Sequence, residues 1–372
     1  MVAGEASGDL LAGLLLGGLT ARWPALQAYG IGGPQMAAHG FEAWWPHHKL
    51  AVRGYVEVLR HYREIVGIRR QLAERLLREP PDAFIGVDAP DFNLHLEATL
   101  KAHGTKTVHF VSPSIWAWRG ERIETIRRSV DHVLCVFPFE PDLYARAGIA
   151  ASYVGHPLAD AIPMEVPRSA SRLSLGLRED DTVVALLPGS RRSEIHYIAP
   201  RLLAAAVHMT RERPRLRFLL PVSGGMRPQV EPMLARYAPG VRIELLAGRS
   251  HEALAACDVT LVASGTATLE AALFKRPMVI AYAMNWLSWQ MMRRQRYQPW
   301  VGLPNILLRE FVVPELLQDQ ASPDNLARAT LAWLNEPERG AALQSRFADL
   351  HRDLRRNTAA AATDAIQQLL ER

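Results

Sequence analysis

The chain has 372 residues, of which 49% are hydrophobic, and a formal net charge of +5. This length excludes a single small module and predicts two domains. The small positive excess favours an anionic partner, but nucleic acid is disfavoured because the arginines are interleaved with carboxylates and no recognition motif appears.

The two cysteines, Cys135 and Cys257, lie in apolar runs and lack neighbours for a zinc site. Neither a disulfide framework nor a metal or other cofactor is expected. No run reaches the ~18 apolar residues that span a bilayer, and the N-terminus lacks the basic segment of a secretion signal. These features predict a cytoplasmic protein in a reducing compartment.

Apolar runs of strand length alternate with amphipathic helical segments in the first half of the chain, which is typical of a parallel sheet covered by helices. A further strand should precede Gly4, where only three residues stand, so we expect either a truncated first strand or a start that lies upstream. Strands are predicted near residues 27–31, 82–88, 106–111, 130–136 and 151–154, with helices near 8–22, 54–79, 91–103 and 138–147.

The same alternation begins again after residues 157–172, a proline-containing stretch that we interpret as an interdomain linker. We therefore predict an α/β protein with a first domain over 1–160, a second over 161–335, and terminal helices over 336–372 that return to the first domain. Strands are predicted near 182–187, 216–220, 241–245, 258–262 and 277–281, with helices near 191–212, 226–237, 251–256 and 266–274.

The first candidate site is the loop Gly-Glu-Ala-Ser-Gly-Asp at residues 4–9, which leads into the first helix. Its glycines permit a tight turn and its amides lie at the positive end of that helix, so it can hold polar substrate groups. We count Glu5 and Ser7 among the candidate catalytic residues. The loop is not a dinucleotide fingerprint, because the third glycine is missing. The alternative is a plain turn capped by Ser7 or Asp9.

Asp88 stands at the carboxyl end of a predicted buried strand, where ligands gather in open α/β sheets. A carboxylate there can act as the general base for a sugar hydroxyl, since proximity and partial desolvation raise its basicity. Asp91 follows Pro90 and precedes an apolar helix, so we interpret it as the N-cap of that helix.

A loop with two tryptophans follows the next strand, at residues 112–119. Ser114, Trp116 and Trp118 could line a sugar-binding wall, because aromatic faces stack on the CH groups of a pyranose. The alternative is that both tryptophans fill the core.

In the second half, residues 186–194 end a strand and begin a helix. The amides at Gly189 and Ser190, together with the positive charge of Arg191, would neutralise a diphosphate leaving group. This is not a Walker loop, because the lysine and the second glycine are absent. The alternative is an arginine that merely ends a turn.

A second strand-to-helix junction contains Ser264, Gly265 and Thr266. The amides of residues 265–267 would receive phosphate oxygens, and Glu270, one turn into the helix, would accept hydrogen bonds from ribose hydroxyls. Asn305 could join the same cleft, although an asparagine in a turn is often only a turn residue.

Residues 53–79 combine seven arginines and four glutamates with an apolar stripe at helical spacing. Val58, Leu59, Tyr62 and Val66 in this stripe could enter the headgroup boundary of an anionic membrane. Such a stripe more often packs in a core. Residues 286–300 contain a similar mixture of aromatic, methionine and arginine side chains.

Taken in order, these motifs resemble the lipid-A-disaccharide synthase family, inverting glycosyltransferases of the GT-B type. The resemblance implies two Rossmann-like domains whose parallel sheets face each other across a cleft, the first meeting acceptor and membrane and the second binding a UDP-sugar donor. It covers essentially the whole chain and rests on GEASGD at 4–9, GVDAPDFN at 86–93, SPSIWAW at 112–118, GHPLAD at 155–160, LLPGSR at 186–191, SGTATLE at 264–270 and LPN at 303–305.

The resemblance further implies transfer of 2,3-diacylglucosamine from UDP-diacylglucosamine to the 6-hydroxyl of 2,3-diacylglucosamine 1-phosphate, with inversion, giving a β(1→6) disaccharide and UDP. Asp88 would be the base, while Arg191 and the amides around Gly265 would stabilise the departing UDP without a metal. The enzyme would work on an anionic membrane surface, at the cytoplasmic face of the inner membrane. A homodimer is left open.

Two other functions remain as alternatives. One is an isomerase of the UDP-N-acetylglucosamine 2-epimerase kind, which would turn over a UDP-sugar without an acceptor. The other is a non-catalytic, membrane-associated protein that binds a UDP-sugar and turns over none.

Overall fold

The computed structural model describes residues 1–4, 6–50, 55–117, 120–295 and 297–372, which divide into two compact units. The first unit comprises Met1–Asp160 and Leu354–Arg372, and the second comprises Ala161–Asp353. Each unit contains one parallel sheet with helices between its strands. The predicted α/β fold with two Rossmann-like domains is thereby confirmed.

The sheet of the first unit has the strand order β3-β2-β1-β4-β5-β6-β7 in the described residues. The two-residue β1 pairs with both β2 and β4, so the short first strand still occupies the middle of the sheet. The order reverses between β1 and β4, and ligands in such sheets bind beyond the carboxyl ends of the strands at this point. The strands are β1 (Val2–Ala3), β2 (Tyr29–Gly32), β3 (Glu42–Pro46), β4 (Ala83–Val87), β5 (Lys106–Phe110), β6 (His132–Cys135) and β7 (Ala151–Tyr153).

The helices of this unit follow the predicted segments, with short additions after β2, β5 and β7. Their bounds are α1 (Ala6–Arg22), α2 (Pro34–Ala37), α3 (Tyr55–Arg78), α4 (Pro90–Ala102), α5 (Ile123–Ser129), α6 (Glu140–Arg146) and α7 (Pro157–Ala161), with 3-10 turns at His47–Lys49 and Gly120–Arg122. The C-terminal part of α3 packs in the core, where Ile68, Leu72 and Leu76 join a buried cluster with Phe84 of β4.

The sheet of the second unit has the order β10-β9-β8-β11-β12-β13 in the described residues, and it reverses between β8 and β11. Its strands are β8 (Val183–Leu187), β9 (Arg217–Val222), β10 (Ile243–Ala247), β11 (Val259–Ala263), β12 (Met278–Tyr282) and β13 (Glu315–Leu317). The remaining helices are α8 (Arg168–Ser174), α9 (Arg192–Glu212), α10 (Arg227–Tyr237), α11 (Ser250–Ala256), α12 (Thr266–Leu273), α13 (Trp286–Gln295), α14 (Leu303–Leu308), α15 (Pro323–Asn335), α16 (Pro337–Leu354) and α17 (Thr358–Leu370), with 3-10 turns at Gly224–Met226 and Gln318–Gln320.

The stretch 157–172 contains the boundary between the two units, after Asp160, as predicted for an interdomain segment, and part of it is helical. It contains α7 and the beginning of α8. Pro157 is the first residue of α7 and Pro167 precedes the first residue of α8. Proline begins helices without cost because the first helical amides have no partner inside the helix, so these prolines start helices here.

The motif at residues 155–160 holds the C-terminal helix in the first unit. Gly155 has a φ of 87°, and a Cβ built on it would lie 2.6 Å from the Cβ of Arg356. The carboxylate of Asp160 accepts hydrogen bonds from the amides of Asn357 (3.0 Å) and Thr358 (2.6 Å), where α17 begins. Helix α17 then packs closely on α1, because Gly18 has no side chain: a Cβ built there would lie 2.8 Å from the carbonyl oxygen of Ala359. Helix α16, by contrast, belongs to the second unit up to Asp353.

Candidate active site

The carboxyl ends of β1 and β4 bring two predicted loops together in the first unit. Gly4 follows β1, and Asp88 follows the neighbouring β4. A Cβ built on Gly4 would lie 3.1 Å from the Cβ of Ala89, so the two loops are in contact. Ser7 is exposed in the first turn of α1, whereas Glu5 lies outside the described residues. Gly4, Ser7 and Asp88 therefore share one edge of this sheet.

Asp88 is partly exposed in a turn that its neighbours hold in place. Its φ is 51° and that of Ala89 is 44°, so two consecutive residues with side chains adopt the left-handed region, at a cost of about 1–2 kcal/mol each. The amide of Asp88 donates to the carbonyl of Phe110 (2.9 Å), and the amide group of Asn93 donates to the carbonyl of Asp88 (2.8 Å). The turn presents a carboxylate beyond the end of β4, as a general base requires.

Two other aspartates in these motifs, Asp91 and Asp9, bind groups of the protein itself. Asp91 is not the N-cap of α4, because Pro90 takes the first helical position and the cap falls on Ala89. The carboxylate of Asp91 instead is 83% exposed and pairs with Arg122 (2.5 Å). Asp9 is buried, and its carboxylate accepts the amides at the start of α2, from residues 33, 35 and 36 at 2.8, 3.0 and 3.2 Å.

The loop after β5 contains the predicted sugar wall. Ser114 is exposed, Trp116 is partly buried, and Trp118 lies outside the described residues. The ring of Trp116 makes edge contacts with Phe137 and Phe139, at centroid separations of 6.0 and 5.4 Å. Trp116 thus belongs to an aromatic cluster, while Ser114 is open to a substrate.

Glu140, which was not selected from the sequence, anchors this loop. It is buried at the start of α6, where its Oε1 accepts the indole N–H of Trp116 (3.0 Å) and its Oε2 accepts the amide of Phe137 (2.9 Å). Burial raises the pKa of Glu140 to about 7. The available signal was a carboxylate placed directly after the apolar run at 133–139.

In the second unit, the loop after β8 surrounds a carboxylate. Gly189 has a φ of 106°, which favours glycine, and a Cβ there would lie 2.6 Å from the Cβ of Glu194. Glu194 Oε2 accepts the amides of Ser190 (3.0 Å) and Arg191 (3.3 Å), and its Oε1 lies 3.1 Å from Arg191 Nη1. Glu194 therefore occupies the position predicted for an anion. A glutamate three residues into a helix is the signal of a capping box, and it was overlooked.

The loop after the adjacent strand β11 is more open. Ser264 donates its hydroxyl to the carbonyl of Val301 (2.8 Å), and Gly265 caps α12 with a φ of 146°. Gly265 and Thr266 are exposed, and apart from Gly265 and its two chain neighbours no described residue has an atom within 4 Å of a Cβ built on Gly265. The first amides of a helix have no partner inside it, so this loop can receive an anionic group.

Glu270 lies one turn into α12 and is largely buried. Its Oε2 is 3.7 Å from Nε2 of His251 on α11. Burial raises the pKa of Glu270 to about 7 and lowers the pKa of His251. Its carboxyl oxygens are acceptors of the kind that ribose hydroxyls need, close to the loop at Gly265.

Asn305 is completely buried and its amide group is fully used. Its Oδ1 accepts the amides of Val312 (2.8 Å) and Val313 (3.0 Å), while its Nδ2 donates to Val313 O (2.9 Å) and Glu315 Oε1 (2.8 Å). Direct contact with a donor nucleotide would require this network to open. In this structure Asn305 shapes the segment between α14 and β13.

The predicted membrane stripe lies on α3. Val66 is half-buried, whereas the side chains of Val58, Leu59 and Tyr62 lie outside the described residues. Ile65 contacts the core cluster that the later turns of α3 enter. Within the described part of the chain, none of the helices combines the length and the apolar content needed to cross a bilayer.

Comparisons of sequence place the whole chain among related enzymes. The family model for Lipid-A-disaccharide synthetase matches residues 1–368. The Lipid-A-disaccharide synthase of Albidiferax ferrireducens is 62% identical, over 100% of this chain and 97% of the relative. Those of Verminephrobacter eiseniae and Burkholderia pseudomallei are 58% and 53% identical, over 100% of this chain and 96% of each relative.

Solved structures share the fold at low sequence identity. UDP-GlcNAc 2-epimerase from Neisseria meningitidis, bound to UDP-GlcNAc, has a TM-score of 0.66 and 11% identity over 98% of this chain and 97% of that chain. WaaG, a glycosyltransferase involved in lipopolysaccharide biosynthesis, has a TM-score of 0.57 and 13% identity over 98% and 97%. Because fold alone does not determine activity, the full-length match in sequence decides the family. The chain belongs to the lipid-A-disaccharide synthase family and is a glycosyltransferase with the GT-B fold.

Proposed function

We propose that this chain transfers 2,3-diacylglucosamine from UDP-diacylglucosamine to the 6-hydroxyl of 2,3-diacylglucosamine 1-phosphate. The observation that carries the proposal is the match in sequence to Lipid-A-disaccharide synthases along the full chain, at 62% identity in one relative. The products would be a β(1→6)-linked disaccharide 1-phosphate and UDP.

Asp88 is the proposed base. It would take the proton of the acceptor 6-hydroxyl while that oxygen forms a bond to C1 of the donor sugar. The bond from C1 to the β-phosphate oxygen breaks in the same step, and its electron pair leaves with UDP, so the configuration at C1 inverts. The partial exposure of Asp88 beside the Gly4 loop supports this role. Glu5, Ser7 and Ser114 are proposed to orient the acceptor.

The second unit is proposed to hold UDP. Arg191 and the exposed amides at Gly265 and Thr266 would stabilise the diphosphate, whose negative charge grows as the bond to the sugar breaks. Glu270 would accept hydrogen bonds from the ribose. Asn305, with its polar atoms already bonded, would act by shaping the neighbouring chain.

The substrates each contain two acyl chains, so we place the reaction on an anionic membrane surface, at the cytoplasmic face of the inner membrane. The N-terminal part of α3 is the proposed contact, with Val58, Leu59 and Tyr62 in the headgroup boundary. Changing these three residues to serine should release the chain from anionic vesicles in a sedimentation assay without lowering its melting temperature. Leu72→Ser is the matched control, since it opens the core. Early melting of the triple variant would contradict the membrane role.

The decisive experiment is incubation with both lipid substrates, followed by mass detection of the disaccharide and UDP. Conversion of a UDP-sugar in the absence of acceptor would favour the isomerase, which fold likeness to UDP-GlcNAc 2-epimerase leaves as the second candidate. Binding of UDP without turnover of any UDP-sugar would favour the non-catalytic binding protein.

A further inference from the structure

Three polar side chains are completely buried beneath the turn that contains Asp88. Asn93 and Glu97 lie on α4 and His109 lies on β5, and each has a relative exposure of 0%. Glu97 Oε1 is 2.7 Å from His109 Nδ1. Burial raises the pKa of Glu97; burial alone would lower the pKa of His109, but Glu97 raises it overall. The 2.7 Å separation of Glu97 Oε1 and His109 Nδ1 is that of a hydrogen bond, so the two side chains form a bonded pair.

The strand register explains why these side chains meet. His109 is the partner of Gly86 in the ladder between β5 and β4. Asn93 and Glu97 are four residues apart, so they lie on one face of α4. A Cβ built on Gly86 would collide with Glu97 Oε1 and would lie 2.9 Å from the Cβ of Asn93. The missing side chain at Gly86 leaves space for Asn93 and Glu97, which together with His109 form a buried polar array.

Asn93 connects the array to the proposed base. Its Nδ2 donates to the carbonyl of Asp88 at 2.8 Å, and the carbonyls of Val2 and Val87 are each 3.4 Å away. Asp88 and Ala89 adopt the left-handed backbone region, which persists only where surrounding contacts enforce it. The bond from Asn93 is one of those contacts.

The array contributes less to stability than an apolar core would, because some of its buried polar atoms have no hydrogen-bond partner. Asn93 Oδ1, Glu97 Oε2 and His109 Nε2 have no hydrogen-bond partner among the described residues. A buried polar atom without a partner destabilises the folded chain, and apolar residues of the same shape would avoid that penalty. Stability alone does not account for a polar cluster at this place, directly under the proposed base.

We propose that Asn93, Glu97 and His109 are positioning residues for Asp88. The Glu97–His109 pair fixes the face of α4 on which Asn93 lies, and Asn93 holds the turn that aims the Asp88 carboxylate at the acceptor hydroxyl. This inference rests on the proposed transfer reaction and on Asp88 as its base.

The test is a double-mutant cycle on the rate of disaccharide formation. Asn93→Ala, Glu97→Gln and His109→Gln are each measured alone and in an Asp88→Asn background. We expect each single change to lower kcat about 10- to 100-fold with little effect on the KM for the UDP-sugar, since a small misplacement of a catalytic group has this cost. In the Asp88→Asn background, the same changes should cause no further loss, because the group they position is already disabled.

Thr107→Val is the matched control. Thr107 is a buried polar residue of the same strand as His109, but it bonds to Ser129 and Asp131. It should change the rate by the same factor in both backgrounds. Glu97→Gln retains the volume of the side chain and serves as the test if Asn93→Ala does not fold.

Equal losses in the two backgrounds, or unchanged kcat in folded Glu97→Gln and His109→Gln, would overturn the positioning role. Failure of the proposed function would look different, because the unmodified chain would then form no disaccharide at all.

Discussion

The carboxylate of Glu194 accepts a hydrogen bond from the backbone amide of Ser190 at 3.0 Å, so the loop predicted to bind a diphosphate already holds a negative charge. Glutamine can replace glutamate in a capping box, because its carbonyl oxygen accepts the same amide. Glu194→Gln should therefore keep the loop while removing charge repulsion. We expect UDP to bind about tenfold more tightly in calorimetry.

Glu212→Gln, at the exposed end of the same helix, is the control for a general change in charge. It should leave UDP affinity nearly unchanged. Weaker binding by Glu194→Gln would show that the ionised carboxylate itself maintains the loop.

Asp88→Asn should lower the transfer rate about 10²–10⁴-fold and leave UDP binding intact, since the amide keeps the shape but cannot accept the proton. Asp91→Asn, in the same motif, is the control, because the Asp91 carboxylate is exposed and pairs with Arg122. The transfer rates of both variants are measured as the amount of disaccharide formed with time. Near-normal turnover by Asp88→Asn would remove Asp88 from the mechanism.

Arg191→Ala should weaken UDP binding about 10- to 100-fold and slow transfer as well, because hydrogen bonds to a charged group are lost. Arg191→Lys should restore part of the affinity, as lysine lacks the planar donor fork. Arg192→Ala, at the exposed neighbour of Arg191, is the control. Unchanged UDP affinity of Arg191→Ala in calorimetry would contradict the assignment of this loop.

Asp160→Ala should destabilise the chain by about 1–2 kcal/mol in urea unfolding, because the amides of Asn357 and Thr358 lose their acceptor at the start of α17. Asp364→Ala, on the same helix, removes an exposed ion pair with Arg22 and should cost less than 1 kcal/mol. Equal stabilities of the two variants would show that the motif at 155–160 does not hold α17.

Glu140 should make stability depend on pH in a defined window. Its pKa is about 7 in the folded chain and 4.5 in its ordinary state, so the folded chain binds the proton more tightly. The resulting stabilisation is full below pH 4.5 and is lost as the pH rises through 7, by on the order of 3 kcal/mol. Glu140→Gln should remove this pH dependence of the melting temperature. The amide should also lower stability at every pH.

Glu121→Gln, at an exposed residue, is the control and should retain the pH dependence of the melting temperature. A slope of the same size in Glu140→Gln would mean that another group titrates.

The sequence by itself determined the alternating strands and helices, since the strands of a covered parallel sheet are continuous apolar runs and the helices between them are amphipathic. It also placed Asp88, Arg191 and Gly265 at strand ends, because a ligand loop must follow the carboxyl end of a strand. The short strands β3 and β13 escaped prediction, since their residues are only partly apolar and partly buried.

Only the tertiary structure decided which polar groups bind each other. Asp9 caps α2 and Asp160 caps α17, and no local pattern reveals partners that lie far along the chain. Asn305 was expected to contact the ligand, but its side-chain amide makes hydrogen bonds within residues 312–315. The contact between Glu97 and His109 depends on the register of β4 with β5 and on the space at Gly86. Hydrophobic periodicity specifies which face of an element is buried, whereas the pairing of buried polar atoms depends on the three-dimensional packing of several elements.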